Sequence, residues 1–130
     1  MGWFGYSPLE GEPGMDFQDE LGCFLGINFS EETDNLKVAS LLQEKTTDIL
    51  DFLRDFDWNQ FKEPGMTQFF YIQALFQNFI DYNVPITERM YTGGIVFITT
   101  DKWAEVEPKR KEAMDKLFRE VTNNYKLNKL

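Results

Sequence analysis

Apolar side chains recur every three or four residues in four stretches of the chain, the spacing that places them along one side of an α-helix. The predicted helices cover residues 16–25, 34–56, 67–81 and 108–124. The third stretch has apolar residues around much of its circumference, which is typical of a helix with neighbours on several sides. The pattern therefore predicts a mainly α-helical fold of four helices with the third at its centre.

Residues that favour helix ends lie at the borders of these stretches. Asp16 and Thr67 can cap the first and third helices, because their side-chain oxygens accept hydrogen bonds from the N–H groups of a first turn. Gly26 is predicted to end the first helix. Pro108 suits the first turn of the last helix, where its missing N–H costs nothing.

Residues 95–100 do not follow the helical pattern. All are β-branched or aromatic, which favours a short buried strand, although a run of this length is also compatible with a helix. Gly93 and Gly94 before the run are interpreted as a turn. A strand needs a partner for its backbone groups, and the other plausible extended segment is Trp3–Tyr6, in an uncharged aromatic N-terminal arm that we expect to pack against the body. This pairing would add a minor α+β element to the fold.

The chain has the size and composition of one globular domain, predicted to span residues 1–130. Of its 130 residues, 42% are hydrophobic and 16% aromatic. Its apolar runs are far shorter than the roughly 20 residues of a membrane-spanning helix, and the first residues lack the features of a signal peptide. Cys23, the only cysteine of the sequence, cannot form an internal disulfide and is expected to be packing material. We therefore expect a cytoplasmic protein that does not enter a membrane.

The net charge of −9 argues against direct binding to nucleic-acid phosphates or to anionic lipid, since both need a basic surface. The charge is uneven along the chain. Residues 1–36 contain eight acids and no base, whereas residues 101–130 contain eight bases and six acids. Attraction between the two ends, together with solubility, is the simplest explanation.

The sequence contains no histidine. This removes the usual Ser–His and Cys–His nucleophiles, histidine acid–base catalysis and most zinc and iron sites. There is no phosphate-binding glycine loop that ends in Gly-Lys-Ser or Gly-Lys-Thr. We therefore assign no catalytic residue, no cofactor and no metal, and we expect a protein that is not an enzyme.

One acidic group has a regular spacing. Its members are separated by four, three and four residues, which places them within a roughly 60° arc of a helix, opposite Thr46 and Leu53. They are Glu44, Asp48, Asp51 and Asp55, here called the acidic ridge.

The acidic ridge has three interpretations. The first interpretation is a solvated helix face without a function. The second is a surface that imitates nucleic acid or receives a basic protein partner. The third interpretation is a carboxylate site for Mg²⁺ or Mn²⁺, which would need the fold to bring in Asp16, Asp19 and Glu20.

Aromatic residues are concentrated around Pro64 and Gly65. Most are expected in the core, but any that reach the surface would form a protein-binding hot spot. We therefore add Trp58 and Phe61 to the acidic ridge as candidate binding residues.

The opening Met1-Gly2-Trp3-Phe4-Gly5 and the acidic and aromatic positions that follow it resemble a group of small uncharacterised bacterial domains. The later positions are Glu10, Glu12, Asp16, Phe17, Glu20 and Leu21. The resemblance covers about the first 21 residues, departs from the group at Phe4 and at Pro8-Leu9, and implies an α-rich domain without a known activity. The small size, the acidity and the lack of histidine also resemble phage accessory proteins.

These observations favour a non-enzymatic, acidic binding or regulatory module that contacts a protein partner, such as a phage-encoded inhibitor of a host or defence protein. The alternatives are a carboxylate-dependent metal hydrolase and a nucleic-acid mimic that acts through the acidic ridge.

Overall fold

The structure is a computed structural model that describes residues 8–9 and 12–129, and this part of the chain is mainly helical. A short 3₁₀ turn, Trp58–Gln60, lies between the third and fourth helices. The helices are α1 (Glu12–Leu25), α2 (Asn35–Glu44), α3 (Thr46–Arg54), α4 (Pro64–Asp81), α5 (Glu88–Gly94), α6 (Val96–Thr99), α7 (Lys102–Val106) and α8 (Pro108–Lys129).

The predicted strand at residues 95–100 is wrong, because this run forms α6 and its flanking turns. The hydroxyl of Thr100 donates a hydrogen bond of 2.6 Å to the carbonyl of Val96, one helical turn earlier. Ile98 is buried, whereas Val96 is about half exposed. Strand propensity mainly measures how well a side chain packs in a sheet, so packing against other helices overrides it here. The predicted partner strand, Trp3–Tyr6, lies outside the described residues.

The predicted helix over residues 34–56 is two helices, α2 and α3, which meet at Lys45. Its predicted start is confirmed, because Asp34 caps α2 by accepting hydrogen bonds from Leu36 and Lys37. At the break, the buried hydroxyl of Thr46 donates to the carbonyl of Leu42 over 2.7 Å. Such a side chain competes for carbonyls that a continuous helix would use. Together with α5 and α7, this break makes the count of four helices wrong.

Two predicted helix starts lie too late along the chain. The first helix begins at Glu12 instead of Asp16, and α4 begins at Pro64 instead of Thr67. In both cases proline lies in the first turn, where its missing N–H has no cost. The predicted start of α8 at Pro108 is confirmed, although the helix continues to Lys129. Gly26 ends α1 with a φ of 76°, as its glycine predicted.

The central position of α4 is confirmed. This helix contacts α1, α6 and α8 and the 3₁₀ turn. Its inner residues Ala74, Leu75, Phe76 and Phe79 are at most 1% exposed. An amide hydrogen bond of 2.9 Å from Gln18 to Asn78 also joins α1 to α4. Helices α1, α6 and α8 and the 3₁₀ turn therefore pack around α4.

Cys23 is exposed, so the expectation that it packs in the core is wrong. Within residues 8–9 and 12–129, no helix combines the length and apolar character that a transmembrane span requires.

Candidate functional site

The structure brings three members of the acidic ridge together and separates the fourth. Glu44 ends α2, before the break at Lys45, whereas Asp48 and Asp51 lie on α3 and Asp55 follows its last residue. The last three line one open depression of about 620 Å³, which Glu44 does not line. We name this surface the acidic-aromatic face. Its residues are Phe24, Asp48, Asp51, Phe52, Asp55, Phe56 and Asp57.

Two arginines partly neutralise the acidic-aromatic face. Arg54 donates from Nε and Nη2 to the two carboxylate oxygens of Asp55 over 3.0 and 3.1 Å. Asp51 lies 2.8 Å from Arg89 of α5 and 3.5 Å from Arg54. The hydrogen bond from Arg54 holds the pKa of Asp55 below its usual value. Asp48, in contrast, has no ion pair with another described residue.

Asp57 has a structural role at the edge of this face. Its carboxylate accepts a hydrogen bond of 3.1 Å from the backbone N–H of Asn59 and so caps the 3₁₀ turn. The turn fixes the ring of Trp58, whose centroid lies 4.8 Å from that of Phe56. The candidate residue Trp58 is therefore attached to the acidic-aromatic face through Phe56.

A continuous set of rings begins at Phe52 and Phe56 of the face and extends inward to the buried Tyr71. We name Phe52, Phe56, Trp58, Phe61 and Tyr71 the aromatic cluster. Neighbouring centroids lie 5.2 Å apart for Phe52 and Phe56 and 5.6 Å apart for Phe61 and Tyr71, within the range of favourable ring pairs. Trp58 and Phe61 are half-buried, so this part of the candidate site is mainly packing with a partly exposed edge.

Helix α1 borders the aromatic cluster through Phe24, which packs against Phe52 of α3. Phe24 is 36% exposed, and its ring centroid lies 5.1 Å from that of Phe52. Glu20 precedes Phe24 by four residues, so the two side chains share one side of α1. Burial raises the pKa of Tyr71 to about 12, and the negative charges of Asp16 and Glu20 add to this effect. Acidic side chains of α1 and α3 thus flank the same rings.

The metal interpretation receives no support from this arrangement. Across residues 8–9 and 12–129, the structure contains no group of three or more carboxylate or cysteine side chains that could hold a metal ion. Asp19 is exposed on α1 and does not line the acidic-aromatic face.

The raised pKa of Tyr71 gives a prediction for stability at high pH. An unfolded tyrosine ionises near pH 10, whereas Tyr71 in the folded chain resists ionisation until about pH 12. The stabilisation from this group is complete below the unfolded pKa and is lost as the pH rises through the folded pKa. We expect wild type to lose stability relative to Y71F between these values. Urea unfolding of both proteins over this interval measures the difference, and parallel pH profiles would contradict the expectation.

A buried polar network that was not predicted from the sequence joins α4 to α8. Arginine is usually a surface residue, but Arg110 is 1% exposed, and Asp101 is 5% exposed. Arg110 Nη2 donates to Asp101 over 2.9 Å and also to the side-chain oxygen of Gln73. Gln73 Nε2 donates to Asp101 over 2.8 Å and to the carbonyl of Phe97 over 2.7 Å.

Two rings and a helix cap complete this network. The guanidinium of Arg110 lies 4.8 Å from the ring centroid of Trp103 and 5.5 Å from that of Phe70, within the range of cation–π contact. Asp101 also caps α7 by accepting from the N–H of Ala104 over 2.8 Å. Burial alone would raise the pKa of Asp101, but the hydrogen bonds from Arg110 and Gln73 and the charge of Arg110 hold it below the usual value.

The spacing of Arg110 contains a signal that could have revealed its burial. It precedes Met114, Leu117 and Val121 by four, seven and eleven residues, so it occupies the same stripe as the buried residues of α8. Its charge favours the exterior, yet an arginine on an apolar stripe is buried only when it is paired, which indicates an acidic partner outside its own helix.

The chain matches no family model, and comparisons with curated proteins and with solved structures found no similar protein. The likeness of residues 1–21 to small bacterial domains therefore stays a prediction.

Proposed function

We propose that the chain is a non-enzymatic binding module that holds a basic segment of a protein partner on the acidic-aromatic face. One observation carries this proposal: four aspartates and three phenylalanines line a single open depression. Binding of this kind is stoichiometric and needs no catalytic group, which suits a chain without histidine.

The two kinds of side chain would contribute differently to binding. Exposed carboxylates attract a basic partner over several ångströms and select its orientation, but each adds little affinity. Phenyl rings supply apolar area and accept cations on their faces. Phe24 is the most exposed of the three rings of this face. The apolar stem of a partner arginine or lysine side chain can cover it.

The nucleic-acid mimic is the weaker alternative. A mimic needs a line of regularly spaced negative charges, but the acidic ridge is divided at Lys45. Two of its carboxylates are already paired with Arg54 and Arg89. A protein partner with a few basic residues fits this partly neutralised surface better.

The proposed place of action is the cytoplasm. An exposed and unpaired Cys23 suits a reducing compartment. A phage-encoded inhibitor of a host or defence protein would act by the same stoichiometric contact, and this source is part of the proposal.

A labelled oligoarginine peptide tests the proposed face. We expect D48N/D51N/D55N to bind this peptide about tenfold more weakly than wild type, since three weak charge contacts are lost together. The matched control is E105Q/E112Q/D115N, which removes the same net charge from exposed positions of α7 and α8. The affinity of this control for the peptide should fall by less than about twofold, because salt screens charges that lie far from the bound peptide. Equal losses of affinity in the two variants, measured by fluorescence anisotropy, would show an effect of net charge alone and would overturn the proposal.

A further inference from the structure

We propose that Arg54 is a built-in competitor of the basic partner, because its guanidinium occupies the carboxylates that the partner would use. This inference rests on the proposed function and adds a mode of regulation to the same face. A partner would bind by replacing Arg54 on Asp55, while Asp51 keeps its contact of 2.8 Å with Arg89. The affinity of the face is therefore lower than its aspartates alone would give.

Arg54 contacts Asp55 as a bound guanidinium ligand would, and it approaches from outside the residues that line the depression. Its Nε and Nη2 atoms contact the two oxygens of Asp55 over 3.0 and 3.1 Å, the paired arrangement that matches guanidinium to carboxylate. Its Nη1 atom lies 3.5 Å from Asp51. A partner arginine would need both oxygens for the same fork, and two guanidinium groups cannot form this fork with Asp55 at once.

The contact is easily replaced. The side chains of Arg54 and Asp55 are 63% and 70% exposed, and ion pairs at such exposure contribute little stability. Arg54 also lies in the last turn of α3, where the partial negative charge of the helix end favours a cation. The helix end thus keeps Arg54 near the face without fixing it there.

The same geometry selects the partner residue. Arginine can reproduce both hydrogen bonds to Asp55, whereas the ammonium group of lysine is a point charge and cannot form the fork. We therefore infer that the partner segment presents arginine, and that oligoarginine binds more tightly than oligolysine of equal length.

Substitution of Arg54 tests the competition directly. We expect R54Q to bind labelled oligoarginine about fivefold more tightly than wild type, the factor that corresponds to the upper range of an exposed ion pair. The control is R119Q, which removes one positive charge from an exposed position on α8 and should change affinity by less than about twofold. R54K keeps the charge but loses the fork, so its affinity should lie between those of wild type and R54Q. Circular dichroism shows that each variant is folded.

The outcomes separate the two proposals. If D48N/D51N/D55N binds as well as its own control, the proposed function fails. If that variant loses affinity but R54Q binds no more tightly than R119Q, the face is correct and the competition by Arg54 is overturned. If oligolysine binds R54Q and wild type as tightly as oligoarginine does, the selection of arginine is overturned.

Discussion

Replacing Asp101 with alanine is expected to lower the free energy of unfolding by about 3–5 kcal/mol, the usual effect of breaking one buried ion pair from one side. Both partners are almost fully buried, at 5% exposure for Asp101 and 1% for Arg110. The substitution removes the carboxylate that neutralises Arg110, and it also removes the cap of α7 and an acceptor of Gln73. One change therefore weakens the contacts among α4, α7 and α8.

Urea unfolding followed by circular dichroism measures this loss. The matched control is D115A, which breaks the exposed pair that Asp115 forms with Lys111 over 2.9 Å and should cost less than about 1 kcal/mol. In D101A/R110M neither buried charge remains. The decrease in its free energy of unfolding should therefore be smaller than the sum of the decreases in D101A and R110M. A D101A protein that unfolds at the same urea concentration as D115A would refute the importance of the pair.

The effect of Asp101 should also depend on pH. Its folded pKa lies below the usual value, so the stabilisation is present above the unfolded pKa of about 3.9 and is lost as the pH falls through the folded pKa. The difference in stability between wild type and D101N should therefore shrink in acid. A difference that stays constant from neutral pH into acid would contradict the assigned pKa shift.

Replacing Gly94 with alanine should also destabilise the fold, and we expect it to lower the free energy of unfolding by about 1–3 kcal/mol. A Cβ atom at Gly94 would lie 2.7 and 2.8 Å from two ring carbons of Phe76, which is fully buried in α4. Neither α5 nor the ring can move away without disturbing the core.

The adjacent Gly93 provides the control. A Cβ atom there meets no atom within 4 Å, and alanine is favoured over glycine in a helix by up to about 1 kcal/mol. G93A should therefore be neutral or stabilising, whereas G94A is destabilising. Thermal unfolding of both variants measures the contrast, and equal midpoints would show that α5 does not pack on Phe76 as described. This pair also corrects the interpretation of Gly93 and Gly94 as a turn, since both end α5.

The regular features of the fold could be predicted because they depend on local signals. Asp34 caps α2 and Pro108 begins α8, as their chemistry predicts. The strand at residues 95–100 could not be rejected locally, because its β-branched side chains fit either a sheet or a short helix, and contact with α4 decides between them. The break at Lys45 accompanies a single side-chain contact, the hydrogen bond from the hydroxyl of Thr46 to the carbonyl of Leu42, which the apolar periodicity does not show.

The candidate site was predictable only where it lies on one helix. The spacing of Asp48, Asp51 and Asp55 indicated a shared outer side, and the structure places them along one depression. The contributions of Phe24 and Arg89 come from residues distant in sequence, so no local pattern could reveal them. Arg54 pairs with Asp51, three residues earlier, and this spacing is one that helix geometry makes readable in the sequence.

The exposure of Cys23 has a practical consequence for these measurements. The thiol belongs to α1, one residue before Phe24 of the acidic-aromatic face, and the sequence contains no other cysteine. A maleimide dye will therefore attach at one known position of the wild-type chain, without any engineered substitution. Its emission would report directly when a peptide arrives beside α1, and a dye attached there can be followed even while Arg54 and its aspartates are being varied.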